Sequence, residues 1–531
     1  MFTGTILLKK LYIKVLKSRL LNANTIISFL KRNLLLFLST GILFLLSLLA
    51  FFATRDSYRA VEAASLWVRN HFGYFYLYLG LGCVLLLLVI AFSPFGKIRL
   101  GENKKPEHSL WAWTSMLYSA GMGAGILLRA VQEPVFMLRH PPYQSSMKPE
   151  ILALEFTFYQ WGFTAWAFYG LFAMIIAYAL FVSKRKVKTS ASVESIIGNR
   201  FAKNGIDIMT IITTVFGLIA AIGLGAAQIH GGINYLTSSL QGLWLSLVLA
   251  CCISGMAFIS AWKGVNRGIK VLSKYNIVLT LLLLAYIFMF SDPATIFRNF
   301  GLSLWNYIMD FIPLSLALPP FDPGIGFLTD WTFYYWAFWL AWAPFTGIFI
   351  ARISKGRTLR QLLLGVMLIP SLGTFFWFSV FGSAAFEIIE GWGNYEGEFA
   401  NVFSSLFIFL GNYPLSGLLN GVTLLLLMSF LVTSVDSAVF VLSMFTDRGS
   451  KNPGKRHRLL WSVIILLATL ALIILGNVKP EIDVLVAAQK LLIVTSLPFS
   501  FFMVFMTLVF LRDLIRKRIK DKSITSPGQT S

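Results

Sequence analysis

The stretch that decides the fold is Trp331–Arg357, WTFYYWAFWLAWAPFTGIFIARISKGR, which is long enough to cross a membrane and uncharged as far as Arg352. Tryptophans usually collect at the two interfaces of a bilayer. This run instead carries tryptophans and helix-disfavouring residues in its interior: Trp336, Trp339, Trp342, Pro344 and Gly347. Interior indoles beside an interrupted helix predict a place that holds something other than lipid. Aromatic faces bind quaternary ammonium groups especially well.

The composition extends this prediction to the whole chain of 531 residues, which is 57% hydrophobic and only 13% charged. A soluble domain cannot cover its surface with so few charges. The chain is therefore predicted to be a polytopic, all-α membrane protein. Twelve apolar runs are long enough to span a bilayer: 33–53, 73–94, 111–133, 152–182, 207–235, 242–261, 275–291, 329–351, 362–386, 416–446, 459–477 and 487–511.

The net charge of +22 is distributed unevenly about these spans. If the N-terminus is cytoplasmic, 36 of the 45 Lys and Arg residues fall in cytoplasmic segments. This positive-inside bias predicts that both termini are cytoplasmic and argues against a nucleic-acid partner. Basic residues at the inner surface are also expected to attract anionic membrane lipids. No cleaved signal peptide is expected, because no small-residue cleavage site follows the basic N-terminal residues.

One membrane domain, 33–511, is predicted between a basic N-terminal segment, 1–32, and a short basic tail, 512–531. Within the N-terminal region, Leu7–Leu34 is typical of an amphipathic helix on the inner membrane surface. Arg298–Ala317 is too polar to span and is expected to lie along the outer interface. The proline-rich Leu318–Gly326 that follows is predicted to be a loop.

Two spans contain small or helix-breaking residues at matching positions. The third contains Ala120–Gly125 (AGMGAG), the eighth contains Trp342–Gly347 (WAPFTG), and five spans begin at each. Interrupted helices at corresponding positions of two halves are typical of the midplane site of a secondary transporter. The alternative is that small residues only let helices pack closely. The matched position favours a binding site.

Helical spacing groups the aromatic residues of two spans. Those of the eighth span share one face, with Trp339 beside it: Phe338, Trp342, Phe345 and Phe349. Those of the fourth span fall within about half of the helix circumference: Trp161, Trp166 and Tyr169. Two such faces that meet can form a cage for a methylated cation. Ordinary aromatic packing between helices is the alternative.

Polar side chains inside two other spans are further candidates. Thr433 and Ser434 lie in the sequence FLVTSVDS of the tenth span. They predict either a sodium site or hydroxyls that bond back to their own helix. Arg129 lies one turn after the glycines of the third span, where a charge is a functional candidate. Its spacing from Glu133, at i+4, favours an internal ion pair.

Nothing in the sequence indicates an enzyme. The five histidines are scattered, and no HExxH, GxSxG or Walker A sequence occurs. The three cysteines lie in apolar runs and indicate neither a disulfide framework nor a zinc site. No cofactor is therefore expected. Without a nucleotide site, transport is expected to be driven by an ion gradient or by exchange.

At this point the chain resembles the betaine/carnitine/choline transporter family, over about residues 30–515. The resemblance rests on AGMGAG followed by Glu133 and Pro134, on the fourth-span aromatic set, on WTFYYWAFWLAWAPFTGIFIARISKGRTLRQ and on FLVTSVDS. It implies a LeuT-like fold of twelve helices, with two inverted five-helix repeats, about 111–291 and 329–511, after two extra helices. It also implies a homotrimer in a bacterial inner membrane that imports trimethylammonium-type solutes by alternating access.

The resemblance assigns roles by position. The substrate site would comprise Trp161, Trp166, Tyr169, Phe338, Trp339, Trp342, Phe345 and Phe349, with the backbone of Ala120, Gly121, Met122, Gly123, Ala124 and Gly125 near a substrate carboxylate. One sodium site would use the backbone of Ser119, Met122 and Phe430 with the hydroxyls of Thr433 and Ser434. A second would be built near Thr214, Tyr169 and Phe345.

Several positions depart from the family pattern. Leu218 stands where a threonine is expected in the second sodium site, and Phe338 stands where a tryptophan is common. Arg129 replaces an aromatic residue, and Ala130 replaces a glycine. Gly125 fits sodium-coupled members better than proton-coupled ones. We therefore expect import coupled to sodium. The alternatives are a sodium-independent exchanger of trimethylammonium compounds and a transport-inactive membrane sensor that uses the same pocket.

Overall fold

The computed structural model of the chain describes residues 33–103, 105–237, 242–263, 268–478 and 484–525. At 119–122, 261–263, 268–270, 484–485 and 518–525 it describes the backbone alone. The segment predicted as an N-terminal amphipathic helix, Leu7–Leu34, lies outside the described residues except for its last two. In the described part, all regular structure apart from one isolated β-bridge is helical, which confirms the all-α fold class.

The first half of the chain contains α1 to α10, which run in this order: Leu34–Phe52, Thr54–Phe92, Leu110–Met122, Gly125–Arg129, Gln132–Arg139, Pro149–Trp161, Phe163–Ala177, Arg200–Thr237, Leu243–Lys263 and Gly268–Met289. The second half contains α11 to α18: Pro293–Leu316, Ile325–Asp330, Thr332–Ile353, Leu359–Trp392, Ser405–Leu410, Ser416–Thr446, Lys455–Val478 and Val484–Thr525. A short π-helical turn, Tyr178–Val182, prolongs α7.

Eleven helical segments of the described chain are long and apolar enough to cross a membrane. They correspond to eleven of the twelve runs predicted from the sequence. The exception is the third run, 111–133, which is divided among α3, α4 and α5, with one break at Gly123 and Ala124 and another at Ala130 and Val131. Several spans are longer than the sequence indicated. The longest, α18, continues from the last span into the predicted tail as far as Thr525.

The interior of the bundle is formed where α7 and α13 pack side by side against α2. Close approach depends on glycines, since a Cβ on Gly73 would fall 2.0 Å from the ring of Phe333, and one on Gly347 would fall 2.8 Å from the ring of Phe172. Around these contacts, Trp336 is fully buried. Burial of large aromatic side chains on both helices holds the two together.

The helix α11 matches the predicted interfacial segment in position. Its N-terminus is capped by Asp292, whose carboxylate accepts hydrogen bonds from two backbone amides of the first turn. One face packs on α6 and α14, while Trp305 on the other face is 60% exposed. The loop after it is shorter than predicted, because α12 already begins at Ile325.

Candidate functional site

The third span is interrupted at AGMGAG, as the sequence predicted. Helix α3 ends at Met122, and Gly123 follows with φ 54° and ψ −146°. This region is unfavourable for any residue with a side chain. A Cβ at Gly123 would also lie 3.1 Å from the Ser434 hydroxyl, so the break brings the third span against the tenth.

The predicted interruption of the eighth span is wrong. Helix α13 runs without a break through Pro344 from Thr332 to Ile353. Neighbouring helices can compensate for the one hydrogen bond that an intramembrane proline removes. Gly347 serves close packing, since its missing Cβ would meet the ring of Phe172 and the backbone of Ala173. For the eighth span, the packing alternative for small residues is the correct one.

A second interruption occurs instead in the fourth span, where sequence reasoning did not expect it. Helix α6 ends at Trp161 and α7 begins at Phe163, with Gly162 between them at φ −95° and ψ −136°. A Cβ there would fall 2.5 Å from the ring of Phe375. The only sequence signal was a glycine between two aromatic residues of an apolar run. The two helix breaks therefore lie in the third and fourth spans, and not in the third and eighth as predicted. They do not support a division into two matching halves, and the repeat boundaries stay predictions.

The interruptions border a cavity of about 100 Å³ inside the bundle. A cavity that holds a single water molecule needs only about 10–15 Å³. Four of the predicted aromatic residues and two residues of the AGMGAG segment line it: Trp161, Phe338, Trp339, Trp342, Ala124 and Gly125. Other lining residues carry polar groups: Arg129, Gln228, Tyr334, Tyr335, Ser434 and Gln489.

The predicted aromatic rings that line the cavity belong to α6 and α13 and pack against one another. The ring centroids of Trp161 and Trp339 are 5.3 Å apart in an edge-to-face arrangement. Phe338 stacks on Trp342 at 5.7 Å. The indole of Trp339 is held by a hydrogen bond from its Nε1 to the carbonyl oxygen of Gln160, at 3.1 Å. These contacts bring the predicted faces of the fourth and eighth spans together.

The other four predicted aromatic residues are buried behind this layer and do not line the cavity. Tyr169 packs on Trp339 at 5.6 Å, and Trp166 packs on Tyr169 at the same distance. Phe345 packs on Trp342 at 5.0 Å, and Phe349 is 1% exposed. They support the lining rings, while direct contact of these four residues with a ligand stays a prediction. For Ser119, Ala120, Gly121 and Met122, the side-chain surroundings lie outside what the structure describes.

The predicted sodium ligands lie in two separate places. Thr433 donates a hydrogen bond to the carbonyl oxygen of Phe430, at 2.9 Å. Ser434 lines the cavity, and its buried hydroxyl has no hydrogen-bond partner among the described residues. At the second position, the Thr214 hydroxyl donates to the carbonyl oxygen of Thr210, at 2.8 Å. Leu218, which is fully buried, offers no oxygen there.

The predicted pairing of Arg129 with Glu133 exists as an electrostatic attraction between two nearby opposite charges, but not as a direct salt bridge, because each side chain hydrogen-bonds to other partners. Arg129 donates from Nη1 to the Gln132 side chain at 2.7 Å. Glu133 accepts hydrogen bonds from the indole of Trp161, at 3.1 Å, and from the hydroxyl of Tyr335. No salt bridge joins Arg129 to Glu133 in the described part of the chain. Glu133 therefore positions a cavity tryptophan, a role the sequence did not indicate.

A bundle of membrane-length helices around a small aromatic cavity defines a multi-pass membrane protein built to hold a small solute. The sequence profile of BCCT, the betaine/carnitine/choline family transporters, matches residues 34–519. The chain belongs to this family, whose members are transporters and not enzymes.

Named relatives carry related solutes. The glycine betaine transporter OpuD of Bacillus subtilis is 36% identical over 467 residues, which cover 86% of this chain and 89% of the relative. The ectoine/hydroxyectoine transporter of Virgibacillus pantothenticus is 33% identical, with coverages of 84% and 89%. The high-affinity choline transport protein of Escherichia coli strain K12 is also 33% identical, with coverages of 83% and 65%.

Proposed function

We propose that this chain imports betaine-like solutes, which are trimethylammonium or related zwitterionic compounds, by sodium-coupled alternating access. The observation that carries the proposal is the ring lining of the cavity: Trp161, Phe338, Trp339 and Trp342. A quaternary ammonium group has no N–H to donate, so ring faces supply the attraction that hydrogen bonds cannot. The names of the relatives, which transport glycine betaine, ectoine and choline, support the same solute class.

Sodium coupling is supported by the tenth span. Ser434 lines the cavity, and its hydroxyl lies beside Gly123 of the interrupted third span with no hydrogen-bond partner among the described residues. Small hard cations prefer oxygen ligands, and unwound backbone supplies further carbonyl oxygens. The hydroxyl of Thr433 donates to the carbonyl oxygen of Phe430 within the same helix, at 2.9 Å. Both oxygens would also coordinate the sodium ion. The backbone of Ser119 and Met122 would complete the site.

A sodium-independent exchanger is the second candidate, and the surroundings of Thr214 favour it. The Thr214 hydroxyl is occupied by a bond within its own helix. Leu218, one turn further along, replaces the second hydroxyl that an ion would need. If the ion at Ser434 is also dispensable, solute exchange alone would drive transport.

Uptake of radiolabelled glycine betaine into proteoliposomes tests the proposal. With an inward sodium gradient we expect accumulation, and with potassium in place of sodium we expect none. Unchanged uptake in potassium would contradict symport and support exchange. Counterflow against preloaded betaine distinguishes both from a sensor, since a sensor would bind the solute without accumulating it.

We also propose that the chain resides in a bacterial inner membrane with both termini in the cytoplasm. The concentration of basic residues in one set of loops supports this orientation. A homotrimer is proposed from the family resemblance. Cross-linking in native membranes tests the assembly, and a band at three times the mass of the 59.5 kDa chain is the expected result.

A further inference from the structure

Two polar side chains that line the cavity have hydrogen-bonding capacity that the described residues do not use. Gln228 of α8 is fully buried, and neither its amide nitrogen nor its amide oxygen has a partner among the described residues. Arg129 ends α4 and lines the same cavity. Of its five N–H donors, one is used in the bond to Gln132. A buried amide without partners is costly unless a ligand satisfies it.

Arg129 is attracted electrostatically to Glu133, but no direct salt bridge of Arg129 is found among the described residues. The nearest carboxylate along the chain, Glu133, is held by Trp161 and Tyr335. The guanidinium carbon of Arg129 lies 5.7 Å from the ring centroid of Trp331, so this aromatic ring covers one face of the guanidinium. Arg129 is one of the residues that line the cavity. A planar fork of N–H groups matches the two oxygens of a carboxylate.

The spacing of these groups suits a small zwitterion. Gly125 faces the indole of Trp161, since a Cβ there would lie 3.4 Å from the ring. Arg129 is four residues further along α4, a rise of about 6 Å. The arginine therefore stands about one helical turn from the level of the indoles. A solute with its ammonium group among the rings could direct its negative end toward Arg129.

We propose that Arg129, together with the amide of Gln228, binds the carboxylate of the solute, in addition to the AGMGAG backbone that the family resemblance places near it, and that Arg129 selects zwitterions over cations that lack a carboxylate. The inference rests on the proposed function and defines its substrate class. In this arrangement choline is disfavoured twice, because it gains no bond to the guanidinium and its positive charge is repelled by it. Glycine betaine gains both the bond and the favourable orientation.

The test compares the affinities of purified full-length protein for glycine betaine, choline and glycine betaine methyl ester, by isothermal titration calorimetry. The ester keeps the trimethylammonium group and lacks the negative charge. A hydrogen bond to a charged group is worth about 1.5–3 kcal/mol, which corresponds to roughly 10- to 150-fold in Kd. We therefore expect the wild-type protein to bind choline and the ester at least 10-fold more weakly than glycine betaine. Equal affinities would overturn the inference.

Arg129→Gln should weaken the binding of glycine betaine at least 10-fold and leave that of choline unchanged or tighter. The matched control is Arg139→Gln, because Arg139 also lies over an aromatic ring, at 5.5 Å from the centroid of Tyr395, but does not line the cavity. It should bind both ligands as the wild type does. An equal loss for both ligands in Arg129→Gln, or no loss, would contradict the assignment.

Failure of the inference and failure of the proposed function give different results. If the wild-type protein binds none of the three compounds, both are overturned. If it binds choline or the ester as tightly as glycine betaine, the aromatic site stands and the role of Arg129 is wrong. Should Arg129→Gln not fold, Gln228→Leu carries the test: it should weaken the binding of glycine betaine more than that of choline, and an equal effect on both ligands would contradict the assignment.

Discussion

Removal of the Trp342 ring is the perturbation that most sharply tests the aromatic cavity. Its indole lines the cavity 5.0 Å from Phe345 and 5.7 Å from Phe338, between ring centroids. Its Nε1 has no hydrogen-bond partner among the described residues, so Trp342→Leu removes an aromatic face and no hydrogen bond. One cation–π contact contributes about 0.5–2 kcal/mol. The Kd for glycine betaine should therefore rise roughly 2- to 30-fold.

The assay compares glycine betaine with 3,3-dimethylbutyrate, in which carbon replaces the quaternary nitrogen. The two compounds share their shape and their carboxylate, and only glycine betaine carries the positive charge. Calorimetry of the wild-type protein should show tighter binding of glycine betaine. In Trp342→Leu the difference in affinity between the two ligands should become smaller. The lost hydrophobic contact weakens the binding of both ligands equally, while the lost ring face weakens only the binding of glycine betaine, which carries the positive charge.

Trp377→Leu is the matched control. Trp377 is also fully buried with an unpartnered Nε1, and its ring stacks on Phe381 at 4.2 Å, but it does not line the cavity. Its replacement should lower the melting temperature and leave both affinities unchanged. The reasoning is refuted if Trp342→Leu weakens the two ligands by the same factor, since the ring would then act through packing alone.

Three further changes test individual residues. Gly123→Ala should destabilise the protein by about 1–3 kcal/mol, because alanine is strained at φ 54°, whereas Gly255→Ala, inside α9 with open space around its Cβ, should leave the melting temperature unchanged or raise it. Gly347→Ala should cost about 1–3 kcal/mol through overpacking, and an unchanged melting temperature would disprove its packing role. Ser434→Ala should raise the sodium concentration for half-maximal uptake roughly 10-fold without loss of stability, since its hydroxyl has no hydrogen-bond partner in the part of the chain that the structure describes. Ser379→Ala, which loses a hydroxyl bonded within its own helix, should leave sodium dependence unchanged.

Composition and periodicity were enough to predict the class of fold and most of its spans. Apolar runs of membrane length have few alternatives to a helix, because lipid cannot satisfy a free backbone group. The break at Gly123 was also predictable, since three closely spaced glycines remove the side chains that would oppose a positive φ. These features depend on local sequence, and so a single chain reveals them.

The failed predictions concern glycines and charges whose role is not evident from the local sequence. Gly347 and Gly162 look alike in the sequence, yet the first permits a helix to pack and the second ends one. Each faces a phenylalanine ring of another helix, Phe375 for Gly162 and Phe172 for Gly347, so the contact partner does not distinguish the two roles either. Arg129 and Glu133 have the spacing of an ion pair, but Trp161 and Tyr335 reach the carboxylate instead. Local spacing cannot predict such contacts.

The central claim is that the solute binds with its ammonium group among the cavity indoles. Cryo-electron microscopy of the protein with glycine betaine tests it most directly. We predict ligand density with the quaternary nitrogen within about 6 Å of the ring centroids of at least two of Trp161, Trp339 and Trp342. Density for the ligand at any other position, with this cavity empty, would contradict the account.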